Sequence, residues 1–397
     1  MTAATGVGPA DVAARLLDRV PAASPAGCSP PAGVAVAVQR GASASVAVAG
    51  RRTVETPTTT TAPVTIGTHH DLASVTKVVT TSALMALVSN GTVALDDEVR
   101  RYLPRFGAGG GGGGGDKDGV TVRDLLGHRA GLWEWQPLYV AMASDRTVSP
   151  GPAVAHDLVD RLPLRYRRGV GRHYSDLGFM LLGRIVANVV GGSLSEAIDA
   201  LVAGPLDLGS LRFSHPAGPD VAMSAFDDRI EMAMIDAGEP YPVPFASADF
   251  TGWRTGAIVG EVNDGNAVHA FAGESGHAGL FADIGDLLAL GIALAHPGEH
   301  DELWQPDVVA EFFAPGPDAD QALGFRRAPI TLDGRPVTML GHTGFVGCAM
   351  GFVPGTGLAV AMATNRLVTS GAPVPTADLW NEVVTWAAMV ASEWRAS

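Results

Sequence analysis

The chain has 397 residues, 47% of them hydrophobic and 17% charged, and carries a formal net charge of -14 at pH 7. This composition lies far from the polar, highly charged regime of disordered chains. The acidic balance argues against nucleic acid and anionic membrane surfaces as partners, since both reward clustered Lys and Arg. A single core rarely keeps growing at such a length, so two lobes are expected.

Near the N-terminus, Pro25-Ala26-Gly27-Cys28 places small residues before a cysteine, as lipoprotein cleavage sites do. The rest of an export signal is missing: no basic residue precedes Arg15, and residues 10–20 mix Asp11, Arg15, Asp18 and Arg19 with Val12, Leu16, Leu17 and Val20. That pattern predicts an amphipathic helix, not a continuous apolar segment. Nor does any apolar run reach the roughly 18 residues of a membrane span; residues 280–295 are interrupted by Asp283 and Asp286. Cys28 and Cys348 read as unpaired thiols of a reducing compartment. A cytoplasmic location, with no membrane and no nucleic acid as partner, is the expectation.

Residues 33–40 and 43–49 run apolar or alternate around a Gly-containing turn and predict a hairpin. From Leu72 the period changes: Val75, Val78, Val79, Leu84, Leu87 and Val88 recur at three and four, and Asn90-Gly91 supplies a stop. Ser74 therefore sits at or near a helix start, with Lys77 one turn on. Residues 107–115, glycine except for Ala108, predict a flexible surface insertion without function, and Lys117 falls in that same unstructured loop. Helices follow at 123–126, 153–161, 176–190 and 195–202, strands at 337–340, 348–353 and 357–364, and a helix over 377–394 closes the chain. Strands at both ends with helices between suggest an α/β lobe from residues 1–70 and 245–397, and a mainly helical lobe from 71–244 inserted into it.

Three short motifs carry chemistry. In Ser74-Val75-Thr76-Lys77, helical spacing puts the amine within reach of the hydroxyl. A serine needs a neighbouring base, and a Lys made neutral by burial or a nearby cation can serve. Such a motif arises by chance in many chains, but the 27 basic residues here include only two lysines, Lys77 and Lys117, the other 25 being Arg. Arg cannot give up its proton, so a surviving Lys is informative. Tyr174-Ser175-Asp176 precedes a helical run; it reads as an N-cap, and equally as a Tyr hydroxyl facing a cleft, where a lowered pKa would let it relay protons. His342-Thr343-Gly344 ends a strand and, by itself, reads as a turn. Trp133, Trp135, Tyr139, Trp253 and Phe345 are candidates to line an aromatic cleft, although most aromatics are core.

In this order the motifs resemble the Ser-x-x-Lys, Tyr-x-Asn and Lys-Thr-Gly elements of the serine β-lactamase and penicillin-binding-protein superfamily. The class C-like branch, with its D-alanyl peptidases and family VIII carboxylesterases, is the most similar. The residues 71–77, 91–97, 122–132, 260–267 and 276–281 also resemble stretches typical of that branch. The resemblance implies a β-lactamase/transpeptidase-like α/β fold: an antiparallel sheet flanked by helices plus an inserted, mainly helical lobe. It further implies Ser74 as nucleophile, Lys77 and Tyr174 moving its proton, and an oxyanion hole from the amides of Ser74 and Phe345. Asp176, His342, Thr343, Gly344 and Trp133 would contact substrate. No metal and no cofactor are implied, and His69, His70 and His277 are read as structural or cleft-lining.

Two departures from the pattern matter. Asp176 stands where relatives have Asn, and a carboxylate there could hold Lys77 protonated. His342 replaces Lys, removing a permanent cation, although His could become cationic below its ordinary pKa of about 6.5. The expected activity is acyl transfer from a small-molecule ester or amide to water or to an amine or alcohol acceptor. The alternatives are a β-lactamase or D-alanyl-D-alanine carboxypeptidase, and a non-catalytic ligand-binding protein of the same fold.

Overall fold

The computed structural model describes residues 8–107, 117–144, 149–213, 218 and 220–396. Its framework is a seven-stranded sheet in the order Arg326–Leu332, Arg335–Thr343, Ala349–Val353, Leu358–Thr364, Gly33–Arg40, Ser43–Thr53 and Ala62–Pro63, every neighbouring pair antiparallel. The expected hairpin supplies its fifth and sixth strands: Gly33 pairs Gly50 and Arg40 pairs Ser43. N-terminal and C-terminal segments thus share one sheet.

The inner strands Gly33–Arg40, Ala349–Val353 and Leu358–Thr364 read as near-continuous apolar runs because both faces are covered there. Side chains alternate across the sheet, so Ala35 and Ala37 join one core cluster while Val34, Val36 and Val38 join the other. Helix Ile284–Ala295 packs on the first face. On the second lie Pro9–Asp18, which is the amphipathic helix read from the sequence, and Thr376–Ala396. The first face is continuous with the helical region, whose centre is Thr76–Ser89. Residues Thr76 to Leu87 are all buried, which is the behaviour of a helix surrounded by protein.

The middle helices appear at Val122–Leu126, Pro152–Arg161, Asp176–Val190 and Leu194–Ile198, the last continuing as one π-helical turn over Asp199–Ala203. The glycine run expected to be flexible lies, apart from Gly107, outside the described residues. Lys117 departs from expectation. It is 2% exposed, and its ammonium donates to the carbonyls of Asp160 at 2.8 Å and Val159 at 3.3 Å and lies over the Phe106 ring. The carbonyl bonds and the placement of the ammonium over that ring, which sequence spacing does not reveal, make this lysine structural. Among the described residues no single helix is long and apolar enough to cross a membrane. Cys348 is buried, its thiol donating to the Asp71 carbonyl, and neither it nor Cys28 is in a disulfide.

Candidate active site

The turn that carries Ser74 is held from below. Ala73 adopts a left-handed φ of 45°, a conformation costly for a residue with a Cβ and therefore sustained only by its surroundings. Asp71 supplies them, accepting the N–H of Ala73 at 2.8 Å and that of Asn263 at 2.6 Å. Burial pushes the Asp71 carboxyl up to about 6, although both backbone donors oppose it. Residues 73–75 form a 3-10 turn before the α-helix begins at Thr76. Ser74 is thus presented at the start of a buried helix.

Lys77, fully buried, reaches back along one helical turn and donates to Ser74 Oγ at 2.8 Å. It also donates to the His277 carbonyl at 3.2 Å and pairs with Asp176 Oδ1 at 2.7 Å. Two of these contacts are hydrogen bonds and the third is a close ion pair. Burial alone would lower its pKa, but the charge of Asp176, with Tyr174 beside it, outweighs burial and the net shift is upward. Gly183 and Gly276 make the arrangement possible: a Cβ on either would fall 2.7 Å or less from the other's backbone or its neighbours, so any side chain would push residues 276–278 away from Lys77.

Tyr174 donates to Ser74 Oγ at 3.0 Å. Its backbone is fixed by the following residue. Ser175 caps the 176–190 helix by accepting from Gly178, donates its hydroxyl to the Trp133 carbonyl at 2.6 Å, and gives its N–H to His128 Nδ1 at 3.0 Å. The cap and the relay readings of this motif therefore coexist in neighbouring residues. The expected lowering of the Tyr174 pKa is not found. Burial raises it, and the Lys77 charge opposes this only in part, so the resting phenol is neutral.

The third motif divides between two faces. Thr343 and Gly344 line a cleft of about 840 Å³ together with Ser74, Tyr174, Asp176 and Phe345. A Cβ on Gly344 would lie 2.5 Å from the Leu72 carbonyl, so glycine lets the strand end close on the Ser74 turn. The amide of Phe345 has no hydrogen-bond partner among the described residues. His342 contradicts its assignment as a substrate contact and charge switch: it is 4% exposed, holds the Thr343 carbonyl 2.8 Å from Nδ1, and faces an adjoining pocket. Burial, aided by the Arg326 and Lys77 charges, keeps its imidazole well below the ordinary value, hence neutral. Trp133 also fails to reach the cleft; its indole donates to the Pro163 carbonyl and stacks under Arg165.

Of the other aromatics, Trp135 and Phe345 line the cleft, joined by Tyr241, which the sequence reading missed. Tyr139 and Trp253 pack instead with Phe250. Arg326 was missed as well. It is exposed, lines the cleft, and its guanidinium lies 5.2 Å from the Tyr174 ring centre with no carboxylate within ion-pair distance among the described residues. A cation thus stands near the place that the Lys-to-His change seemed to empty. His70 Nδ1 lies 3.0 Å from the Thr68 carbonyl, and His277 bridges Ser275 at 2.8 Å and Asp264 at 3.0 Å. Asp264 and Glu231 were not anticipated either; both line the cleft.

Residues 31–384 match the family model described as "Beta-lactamase". A curated Escherichia coli (strain K12) protein named "Putative D-alanyl-D-alanine carboxypeptidase" is 29% identical over 314 residues, covering 76% of this chain and 70% of that one. Among solved structures, a penicillin-binding-protein homologue from Caulobacter crescentus superposes with a TM-score of 0.65 at 21% identity, over 98% of this chain and 99% of the other. EstCE1, described as a hydrolase with promiscuous acyltransferase activity, gives 0.63 at 20% identity over 90% and 93%. The antiparallel sheet flanked by helices agrees with these folds, and the match of the family model over most of the sequence places the chain in the β-lactamase family, within the serine β-lactamase and penicillin-binding-protein superfamily.

Proposed function

We propose that the protein transfers an acyl group from a small-molecule ester or amide through a Ser74 acyl-enzyme, with water or another nucleophile as acceptor. The observation that carries this reading is the convergence of the Lys77 amine and the Tyr174 hydroxyl on Ser74 Oγ, at 2.8 and 3.0 Å, in the wall of an open cleft. Once Lys77 has lost its proton, it takes the one on Ser74 as Oγ bonds to the substrate carbonyl carbon. The carbonyl π pair moves to oxygen, where the amides of Ser74 and Phe345 receive it; one such donor contributes about 3 to 4 kcal/mol in comparable sites. Collapse of the tetrahedral species breaks the bond to the leaving group, which takes a proton from neutral Tyr174, and Lys77 restores that proton. Water or an amine or alcohol then reverses the sequence on the acyl-enzyme.

The test is turnover and covalent labelling with a panel of activated esters, a fluorophosphonate and a penicillin, in wild type and Ser74→Ala. Wild type should turn over at least one ester and take the label, whereas a correctly folded Ser74→Ala should do neither. Normal turnover in Ser74→Ala removes this serine from the mechanism. Failure of wild type to form any adduct would instead favour a ligand-binding protein.

A second reading, a carboxypeptidase acting on D-alanyl peptides or a β-lactamase, is favoured by Arg326. An unpaired guanidinium in the cleft suits a donor with a carboxylate on its leaving group, and one relative bears a D-alanyl-D-alanine carboxypeptidase name. Arg326→Gln should raise KM for a peptide ending in D-Ala carboxylate by roughly tenfold and leave its C-terminal amide unaffected, an effect sized as one charge-assisted contact. Equal losses for both substrates would set this reading aside.

A further inference from the structure

Arg366 is 7% exposed and lines the cleft that contains Ser74. Among the described residues no carboxylate lies within ion-pair distance of it. Buried charges are ordinarily paired, and this one is satisfied only by main-chain carbonyls: Nε donates to Phe345 at 2.6 Å and Nη1 to Val374 at 3.1 Å. Its guanidinium also lies 5.0 Å from the centre of the Phe345 ring. Burial without a counter-charge pulls its pKa down to about 10.

These contacts converge on one peptide. The Gly344 carbonyl, which belongs to the peptide whose N–H is that of Phe345, accepts from Thr376 Oγ1 at 3.0 Å and from the Gly347 amide at 3.2 Å. Arg366 fixes the other side of Phe345 through its carbonyl. Gly347, at φ 113°, closes the turn against the Arg366 stem; a Cβ there would lie 3.1 Å from Arg366 Cγ and 2.0 Å from Thr364 Oγ1. The Phe345 N–H is left unpaired on a segment that can hardly rotate. A donor pre-oriented in this way stabilises developing negative charge without reorganising.

We propose that Arg366 is a positioning residue for the oxyanion site: it locks Phe345 so that its amide faces the acyl oxygen, and its buried positive charge is balanced only when that oxygen becomes an oxyanion. This inference rests on the proposed Ser74 acyl-enzyme. It assigns a transition-state role to a side chain that never touches the substrate carbon.

Phenylboronic acid reads this directly. Ser74 Oγ adds to the trigonal boron as its proton passes to the deprotonated Lys77, and the tetrahedral boronate carries the negative charge that the oxyanion would. In Arg366→Gln the boronate inhibition constant should rise roughly tenfold or more, and kcat for an ester should fall by a similar factor with KM nearly unchanged, the pattern of a group that acts only in the transition state. Arg366→Lys, which keeps the charge and loses the fork, should recover part of the loss. A purely structural latch on Val374 predicts a lower melting temperature with boronate affinity unaltered. Boronate affinity within about twofold of wild type, in an Arg366→Gln protein that still takes a fluorophosphonate on Ser74, overturns the inference and leaves the acyl-enzyme standing. Should Arg366→Gln not fold, wild-type affinity in Arg366→Lys overturns it equally. If wild type itself binds neither probe, the acyl-enzyme reading falls and this inference falls with it.

Discussion

Lys77 meets two opposed demands: the acyl-transfer scheme needs a neutral amine, yet Asp176 at 2.7 Å favours the ammonium. Because the net shift is upward, the fraction of neutral Lys77 is small at neutral pH, and kcat/KM should rise about tenfold per pH unit on the way to the lysine pKa. Asp176→Asn removes the raising charge, so that limb should move to lower pH and the rate at pH 7 should increase. A limb that stays put, or moves up, would show that the Asp176 charge does not raise the pKa of the titrating base. Lys77→Arg should be nearly as damaging as Lys77→Ala despite keeping the charge, since Arg cannot be deprotonated; steady-state turnover checks this, and near-wild-type activity would reduce Lys77 to an electrostatic role. For His342 the prediction changes with its burial. An imidazole held well below its ordinary value does not charge between about pH 5.5 and 7.5, so the preference between anionic and neutral donors should be flat across that range. A rise in anionic preference below about pH 6.5 would mean that the ring protonates after all.

Periodicity made most of the helices and strands legible, and the helix start at Ser74 with them, because apolar spacing reports burial faithfully. It failed where function depends on which side of a strand a residue occupies. His342-Thr343-Gly344 was read as a unit, but the alternation of a strand sends His342 behind the cleft wall and Thr343 into it. Arg326 was invisible for a related reason: it pairs with Gly341 across the sheet, and no sequence pattern joins positions so far apart. Nor could the sequence show that Arg254 clamps one wall of the site. Its guanidinium bonds Asp228 through Nε and Nη2, Glu261 through Nη1, and the carbonyls of Val262 and Asn263. Asp228 is nearly fully buried; burial opposes its ionisation, but the His269 ring 4.0 Å away and the bonds from Arg254 outweigh this and bring it down to about 2. Its stabilising contribution is therefore complete above the unfolded value of about 3.9 and lost as pH falls through about 2. Arg254→Met leaves a buried carboxylate unpaired and should destabilise by about 3 to 5 kcal/mol, measurable by urea denaturation. A loss under about 1 kcal/mol would mean that the pair behaves as an exposed one.

In the molecule as a whole, the sheet built from both ends of the chain brings residues 343–345 and Arg366 to one rim of the cleft, while the buried helix at Thr76–Ser89 and the helix that Ser175 caps bring Ser74, Lys77 and Tyr174 to the other. In the proposed mechanism nucleophile and base thus come from one side and the oxyanion peptide largely from the other, so that chemistry depends on the two sides being held together. Gly344 against Leu72, and Asp71 against Ala73 and Asn263, are the close contacts that do so. The central claim is that Ser74 becomes acylated. Reaction of the wild-type protein with a fluorophosphonate, followed by proteolysis and peptide mass spectrometry, tests it most directly: a single adduct on Ser74, absent from Lys77→Ala under the same conditions, is the predicted result. An adduct on any other residue, or one on Ser74 that forms equally well without Lys77, would contradict the account.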